Sequence, residues 1–313
     1  MIFNRDNKGA DELRALTGNY YANNEFSKIE SDIKFAAYQL KQVVGDAVLK
    51  RAEEAYIKME EPSEALADPQ QLVELVQRPI AILATLQLYR KNDVSHEDSG
   101  RKVQLASDDT EKIPWEWQLD RDDSIHMESY YMAVEQLISY LNEIKLTEWM
   151  ESEQKKAALS LIIRTGRDFD KYFPIQSSER LFFLLVNFIR EMQISTVKRA
   201  YGEGWDALLA EDTIPESDVH FAACKATALL AMSKALLRMP LQLIPGGVVR
   251  TYMAENGMKN SSPANLDDVQ RLSNWLQADG EDWLNQMKDL KAGSKEDYSL
   301  LPNNDKRNKF CVV

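Results

Sequence analysis

The chain has 313 residues, with 50 acidic against 38 basic side chains and a formal net charge of −12. Its 44% hydrophobic and 28% charged residues give a globular composition. That excludes a predominantly disordered, collagen-like or disulfide-framework protein and predicts about two domains. The acidic balance disfavours nonspecific binding to nucleic acid or anionic lipid through the bulk field, while leaving room for local basic patches.

The opening residues, Met1 to Asp6, turn polar at once and lack the apolar run of a secretory leader. Residues 1–25 are expected to form an N-terminal arm, mobile until a partner orders it. From Ser27 to Val44, Ile29, Ile33, Ala36, Ala37, Leu40, Val43 and Val44 recur at steps of three and four, so the spacing predicts a helix with one apolar stripe. Gly45-Asp46 breaks or kinks it before a second helix over 47–59. A third runs from Pro69 to Arg90, with Leu72, Leu75, Val76, Ile80, Leu83 and Leu86 or Leu88 inward and a kink at Pro79. The turn-rich stretch 92–100 and the alternating 101–105 predict a short β-hairpin. A polar stretch with Trp115 and Trp117 follows; in a strand the two rings would share a face. Asp122-Asp123-Ser124 then caps a long helix to about Asn142, with Ile125, Tyr130 or Tyr131, Val134, Leu137, Ile138 and Leu141 inward.

The second half repeats this order. Ser177-Ser178-Glu179 precedes a helix with Leu181, Leu184, Leu185, Phe188, Ile189 and Met192 inward, and another helix follows over 197–209. A long apolar helix ends near Arg238, a second strand–turn–strand surrounds Pro245-Gly246-Gly247, and a last helix turns Leu266, Val269, Leu272, Leu276, Trp283 and Leu290 inward. At an offset of about 149, Ile33 meets Phe182, Leu40 meets Ile189, Val48 meets Val197 and Ile80 meets Leu229. One register across several helices indicates an internal duplication. The expected fold is therefore mainly α: two tandem helical-bundle domains, each with a short β-hairpin or arm. The boundaries are an arm over 1–25, a first domain over 26–147, a connecting helical segment over 148–177, a second domain over 178–290 and a flexible tail over 291–313. Trp149, Leu159, Leu161, Ile162, Ile163, Phe169 and Tyr172 are expected to pack across the domain junction.

No catalytic signature is present. His96, His126 and His220 lack metal-ligand spacing, and surface or capping roles are expected for them. Cys224 reads as a buried small hydrophobe, and Cys311 completes no prenylation box. Gly202-Glu203-Gly204 is no dinucleotide fingerprint. No catalytic residue, cofactor or metal is expected, and no stretch is long and apolar enough to cross a membrane. The candidate partner-interface residues are Arg101, Lys102, Trp115, Trp117, Lys306, Arg307, Lys309 and Phe310. The two tryptophans suit either a clamp over the bundle or an interface anchor, since tryptophan is enriched at hot spots. The basic residues are solvated ends or contacts to an acidic partner or nucleic acid, with partner docking favoured for the tail.

The apolar helix Gln71 to Ala84, the hairpin Val94 to Val103 with its Ser99-Gly100 turn, and Trp115-Glu116-Trp117-Gln118-Leu119-Asp120 carry a resemblance. In that order they resemble phage head–tail connector (adaptor) proteins, and more closely a duplicated helical family of crAss-like and related tailed phages. The second half departs by its Pro245-Gly246-Gly247 turn and a shorter arm. The resemblance implies a structural, non-enzymatic virion protein at the head–tail junction, present in the host cytoplasm during assembly. It implies a homo-oligomeric ring of about a dozen copies, with the portal protein and other tail or ring proteins as partners. DNA enters only as the passing genome, and no membrane is involved. The alternative is a soluble helical assembly chaperone or scaffold module.

Overall fold

A computed structural model of the protein describes residues 1–18, 25–58, 69–93, 95–97, 100–102, 115–210, 217–239, 241–244, 247–250 and 265–293. The fold is mainly α, and one helix–hairpin–helix order occurs twice. The chain divides into two compact units, Met1–Val186 with Pro240–Leu266, and Asn187–Met239 with Asp267–Val313.

In the first unit a 3-10 turn (Arg5–Asn7) and α1 (Gly9–Thr17) precede α2 (Phe26–Val44), α3 (Asp46–Ile57) and α4 (Pro69–Asn92). The strands β1 (Ser95–Glu97) and β2 (Gly100–Lys102) pair antiparallel, His96 opposite Arg101. Then come α5 (Glu116–Glu143), α6 (Thr147–Met150), α7 (Glu153–Leu159) and α8 (Gly166–Asp170). Helix α4 is the axis of this unit, because α1, α2, α3 and α5 all pack on it. It therefore buries Val73, Ala81 and Ala84 as well as the expected Leu72, Val76, Ile80 and Leu83. A helix surrounded by others is apolar on more than one stripe. The helix continues through Pro79, which costs it one backbone hydrogen bond.

The N-terminal arm is ordered within the described residues, against the expectation of mobility. Ile2 and Phe3 are buried in the same core as Ile33, Val76 and Ile80. The Gln77 side-chain amide donates to the Ile2 carbonyl at 2.6 Å. The Arg5 N–H donates to the Tyr56 hydroxyl at 2.8 Å, and that hydroxyl donates to the Glu12 carboxylate at 2.6 Å. Burial, and then the bond to Glu12, push the Tyr56 phenol above its ordinary value. Burying two large apolar side chains contributes about 1.5–3 kcal/mol each, which offsets the entropy of ordering the arm.

The segment after α5 is also core. Trp149, Leu161, Ile162, Ile163 and Phe169 are buried, and Trp149 belongs to the first unit's cluster. The Trp149 indole donates to Asn142 at 2.8 Å and meets Phe183 edge-on. All five lie within Met1–Val186.

The chain continues with α9 (Glu179–Met192), a π-helical turn (Gln193–Val197), α10 (Lys198–Tyr201), α11 (Trp205–Ala210) and α12 (Asp218–Arg238). Strands β3 (Leu241–Ile244) and β4 (Gly247–Arg250) pair antiparallel, and α13 (Leu266–Gly293) follows. These strands have four residues each against three in the first hairpin, so the second arm is not the shorter one among the described residues. Helix α13 also extends through residues 291–293, which the sequence assigned to the tail.

Burial repeats with the duplication. At an offset of 149, the pairs Ile33/Phe182, Ala36/Leu185, Leu40/Ile189, Val48/Val197 and Tyr56/Trp205 are buried in both halves. Helices α5 and α13 have 28 residues each and start 150 residues apart. In that register Tyr130/Gly280, Val134/Leu284 and Leu137/Met287 are buried. At Gly280 an added Cβ would lie 2.9 Å from the Leu230 side chain, so the glycine lets α13 lie close against α12. The halves differ where α2 ends. Gly45, at φ 90°, breaks the first helix, whereas the corresponding stretch after α9 stays helical through the π turn.

Candidate interaction surface

Each hairpin precedes a long helix, and among the described residues the start of that helix is exposed. Trp115 is the N-cap of α5, and Trp117 lies in its first turn. The helix thus begins six residues before the expected Asp122 cap, and the two tryptophans lie at its start. The start is closed by Gln118, whose side-chain oxygen accepts the Trp115 N–H at 2.9 Å. Trp115 is 71% exposed and Trp117 55%. Leu119, Gln118, Asp120, Arg121 and Asp122 are exposed as well, so all described side chains from 115 to 122 face away from packing partners. The tryptophans do not clamp the bundle.

The same holds at α13. Leu266, Leu272 and Trp275 are exposed, Trp275 at 65%. Ile125 and Trp275, equivalent at the offset of 150, are both exposed. Sequence periodicity placed Ile125, Leu184, Leu266, Leu272 and Leu290 inward, and the structure exposes all five. The missed signal was Trp275, one residue before the buried Leu276 and hence off the core-facing stripe.

The base of the first hairpin is held by charges. Arg90 of α4 pairs with Asp123 of α5 at 2.7 Å, and Lys91 pairs with the buried Asp32 of α2. His126 is buried, not on the surface. Its Nδ1 lies 3.0 Å from the Asp122 carbonyl, and its ring meets Tyr89 edge-on. His220 lies in the first turn of α12, its Nδ1 2.8 Å from the Ser217 hydroxyl, beside Tyr201. Arg101 and Lys102 lie on β2, opposite His96 and Ser95. Lys306, Arg307, Lys309 and Phe310 lie outside the described residues.

A partly buried polar cluster joins α5, α8 and α9. Glu135 accepts the Glu179 N–H at 2.6 Å, the Arg180 N–H at 3.0 Å and the Ser178 hydroxyl at 3.0 Å. Glu179 accepts the Gly166 N–H at 3.0 Å, while its other oxygen has no hydrogen-bond partner. Burial raises the Glu179 carboxyl above its ordinary value, and burial lowers the Lys155 ammonium. Gly166 is required here, because a Cβ would meet the Ser178 carbonyl oxygen at 2.6 Å. The arrangement caps the start of α9.

An apolar cavity of about 240 Å³, lined in part by Ile2, Ile33, Leu49, Val76 and Ile80, lies under the N-terminal arm. Among the described residues no group of three His, Cys, Asp or Glu side chains is placed to hold a metal ion, and Cys224 is buried. No helix among them is long and apolar enough to cross a membrane.

Neither the curated proteins nor the solved structures include a match to this chain. A family model matches residues 40–158 and 205–311, and each stretch contains one unit of long helix, hairpin and long helix. By that match, which covers well over half of its length, the chain belongs to DUF6712, a family of unknown function.

Proposed function

We propose that the protein is a structural, non-enzymatic assembly component: a ring-forming head–tail connector that sits between a phage portal and its tail. The observation that carries the reading is the exposure of tryptophans in the N-terminal part of both long helices, Trp115 and Trp117 at the start of α5 and Trp275 in the third turn of α13. Exposed aromatic side chains on rigid helices suit partner anchoring, because burying them excludes water at low entropic cost. Two related but unequal surfaces on one chain suit a heterologous contact, which closes into a ring when the rotation between copies allows it. Hairpin edges can add strand hydrogen bonds to a neighbour. In this reading the partners are further copies of the chain, the portal and other tail proteins. The net charge of −12 would let a lumen repel passing DNA. The protein would occupy the virion, and the host cytoplasm during assembly.

The test is negative-stain electron microscopy with mass photometry on the purified full chain, alone and with its candidate portal. Closed rings of about a dozen copies, alone or on the portal, are expected. A monodisperse monomer that ignores the portal would refute the connector and favour an assembly chaperone.

A further inference from the structure

We infer that residues 306–310 of one copy dock on the exposed start of α5 in a neighbouring copy, with Lys306, Arg307 and Lys309 against its acidic side chains and tryptophan faces. The inference rests on the assembly reading above and names the contact that would join two copies.

The acceptor is the first turns of α5, where the described side chains from 115 to 122 are exposed. Residues 115–128 carry Glu116, Asp120, Asp122, Asp123 and Glu128 against Arg121 alone, a net charge of −4. Asp123 is already engaged by Arg90, but Asp120 has no ion-pair partner among the described residues. Trp115 and Trp117, both exposed, lie on the same helix start as these charges. A surface that combines carboxylates with exposed indoles selects a cationic segment, through charge and through cation–π contact. It repels a phosphate backbone or an anionic bilayer.

The chain itself contains a matching segment. Lys306-Arg307-Asn308-Lys309 places three basic residues within four positions and is followed by Phe310. The helix before it ends at Gly293, so 12 residues of chain separate the two, a span of up to ~43 Å when extended. That length allows a contact with a copy packed alongside. The equivalent start of α13 is a poorer receptor: residues 265–278 carry a net charge of −1, and Arg271 already pairs with Asp268 at 3.4 Å. Charge thus distinguishes the two aromatic surfaces and assigns the tail to the first.

The experiment uses a fluorescent peptide of residues 303–313 as probe. The acceptor is the full chain carrying K306E/R307E/K309E, so that its own tail does not compete. Anisotropy should report saturable binding, at least about tenfold weaker with W115A/W117A added. Binding should fade between roughly 50 and 500 mM salt. An acceptor carrying D120K/D122K should lose the native peptide and gain one bearing the three glutamates. Mass photometry of the wild type and the tail variant should show the larger species reduced in the variant. Absent binding, or binding indifferent to both α5 variants, overturns the docking. Rings that form equally well with the reversed tail overturn it too and leave the connector reading standing. A wild type that stays monomeric with portal overturns the connector and docking between copies together. Peptide binding lost in W115A/W117A would then assign the same contact to one chain closing on itself.

Discussion

Replacing Glu135 tests whether the junction between α5 and α9 is built as described. Its carboxylate accepts two backbone N–H groups of the first turn of α9 and the Ser178 hydroxyl, at 2.6–3.0 Å. A hydrogen bond to a charged group contributes about 1.5–3 kcal/mol, and a negative charge at a helix start adds about 0.3–1 kcal/mol. The three bonds do not sum, because Ser178 still caps through its bond to the Leu181 N–H at 3.1 Å and the site is only partly buried. Glu135→Ala should therefore cost about 2–3 kcal/mol, nearer the loss of a strong N-cap than three separate bonds. Glu135→Gln keeps an oxygen acceptor and loses the charge, and should cost about 1 kcal/mol. Urea unfolding followed by circular dichroism measures the total. Amide hydrogen exchange at Glu179 and Arg180 locates it, since these protons should exchange faster in both variants. A Glu135→Ala protein within about 0.5 kcal/mol of wild type, with unchanged exchange there, would refute the reasoning.

Glu179 gives a pH prediction. Burial raises its folded-state pKa above the ordinary 4.5, so the folded state binds more protons than the unfolded one from 4.5 up to the raised value. Stability contributed by this group is full below 4.5 and falls as pH rises through that window. Glu179→Gln should flatten that fall, and an unchanged pH profile of the urea midpoint would show the burial argument to be wrong. Gly45→Ala should cost about 1–2 kcal/mol, because φ 90° with an extended ψ suits glycine alone; thermal melts that match wild type would remove the strain. Phe3→Ala should loosen the arm, speeding hydrogen exchange in α1, at a cost of about 2–4 kcal/mol. Undocking of the whole arm sets an upper limit on that cost, and protection equal to wild type would mean the arm is held elsewhere. W115A/W117A should leave the melting temperature within about a degree, since both rings touch solvent more than protein. A large drop would make them structural.

Much of this molecule is legible in the chain. Apolar residues at steps of three and four mark α2, α4, α9 and α12, the two Gly-containing turns mark the hairpins, and a shared register reveals the duplication, since each depends on local spacing. The glycine at 45 announces its break for the same reason. Other features depend on groups distant in sequence. Ile2 and Phe3 become core only because α2 and α4 form a groove for them, and Gln77, 75 residues away, holds the Ile2 carbonyl. Glu135 caps a helix that begins 44 residues later. His126 looks like a surface residue until Tyr89 of α4 lies against it. The exposed helix starts show the limit most plainly. Periodicity tells which residues share a helix face, but not whether another element covers that face. Leu266 and Leu272 fit an inward stripe by spacing, yet lie exposed. Which apolar residues stay open to a partner is set by where the neighbouring helices end, and only the tertiary structure decides that.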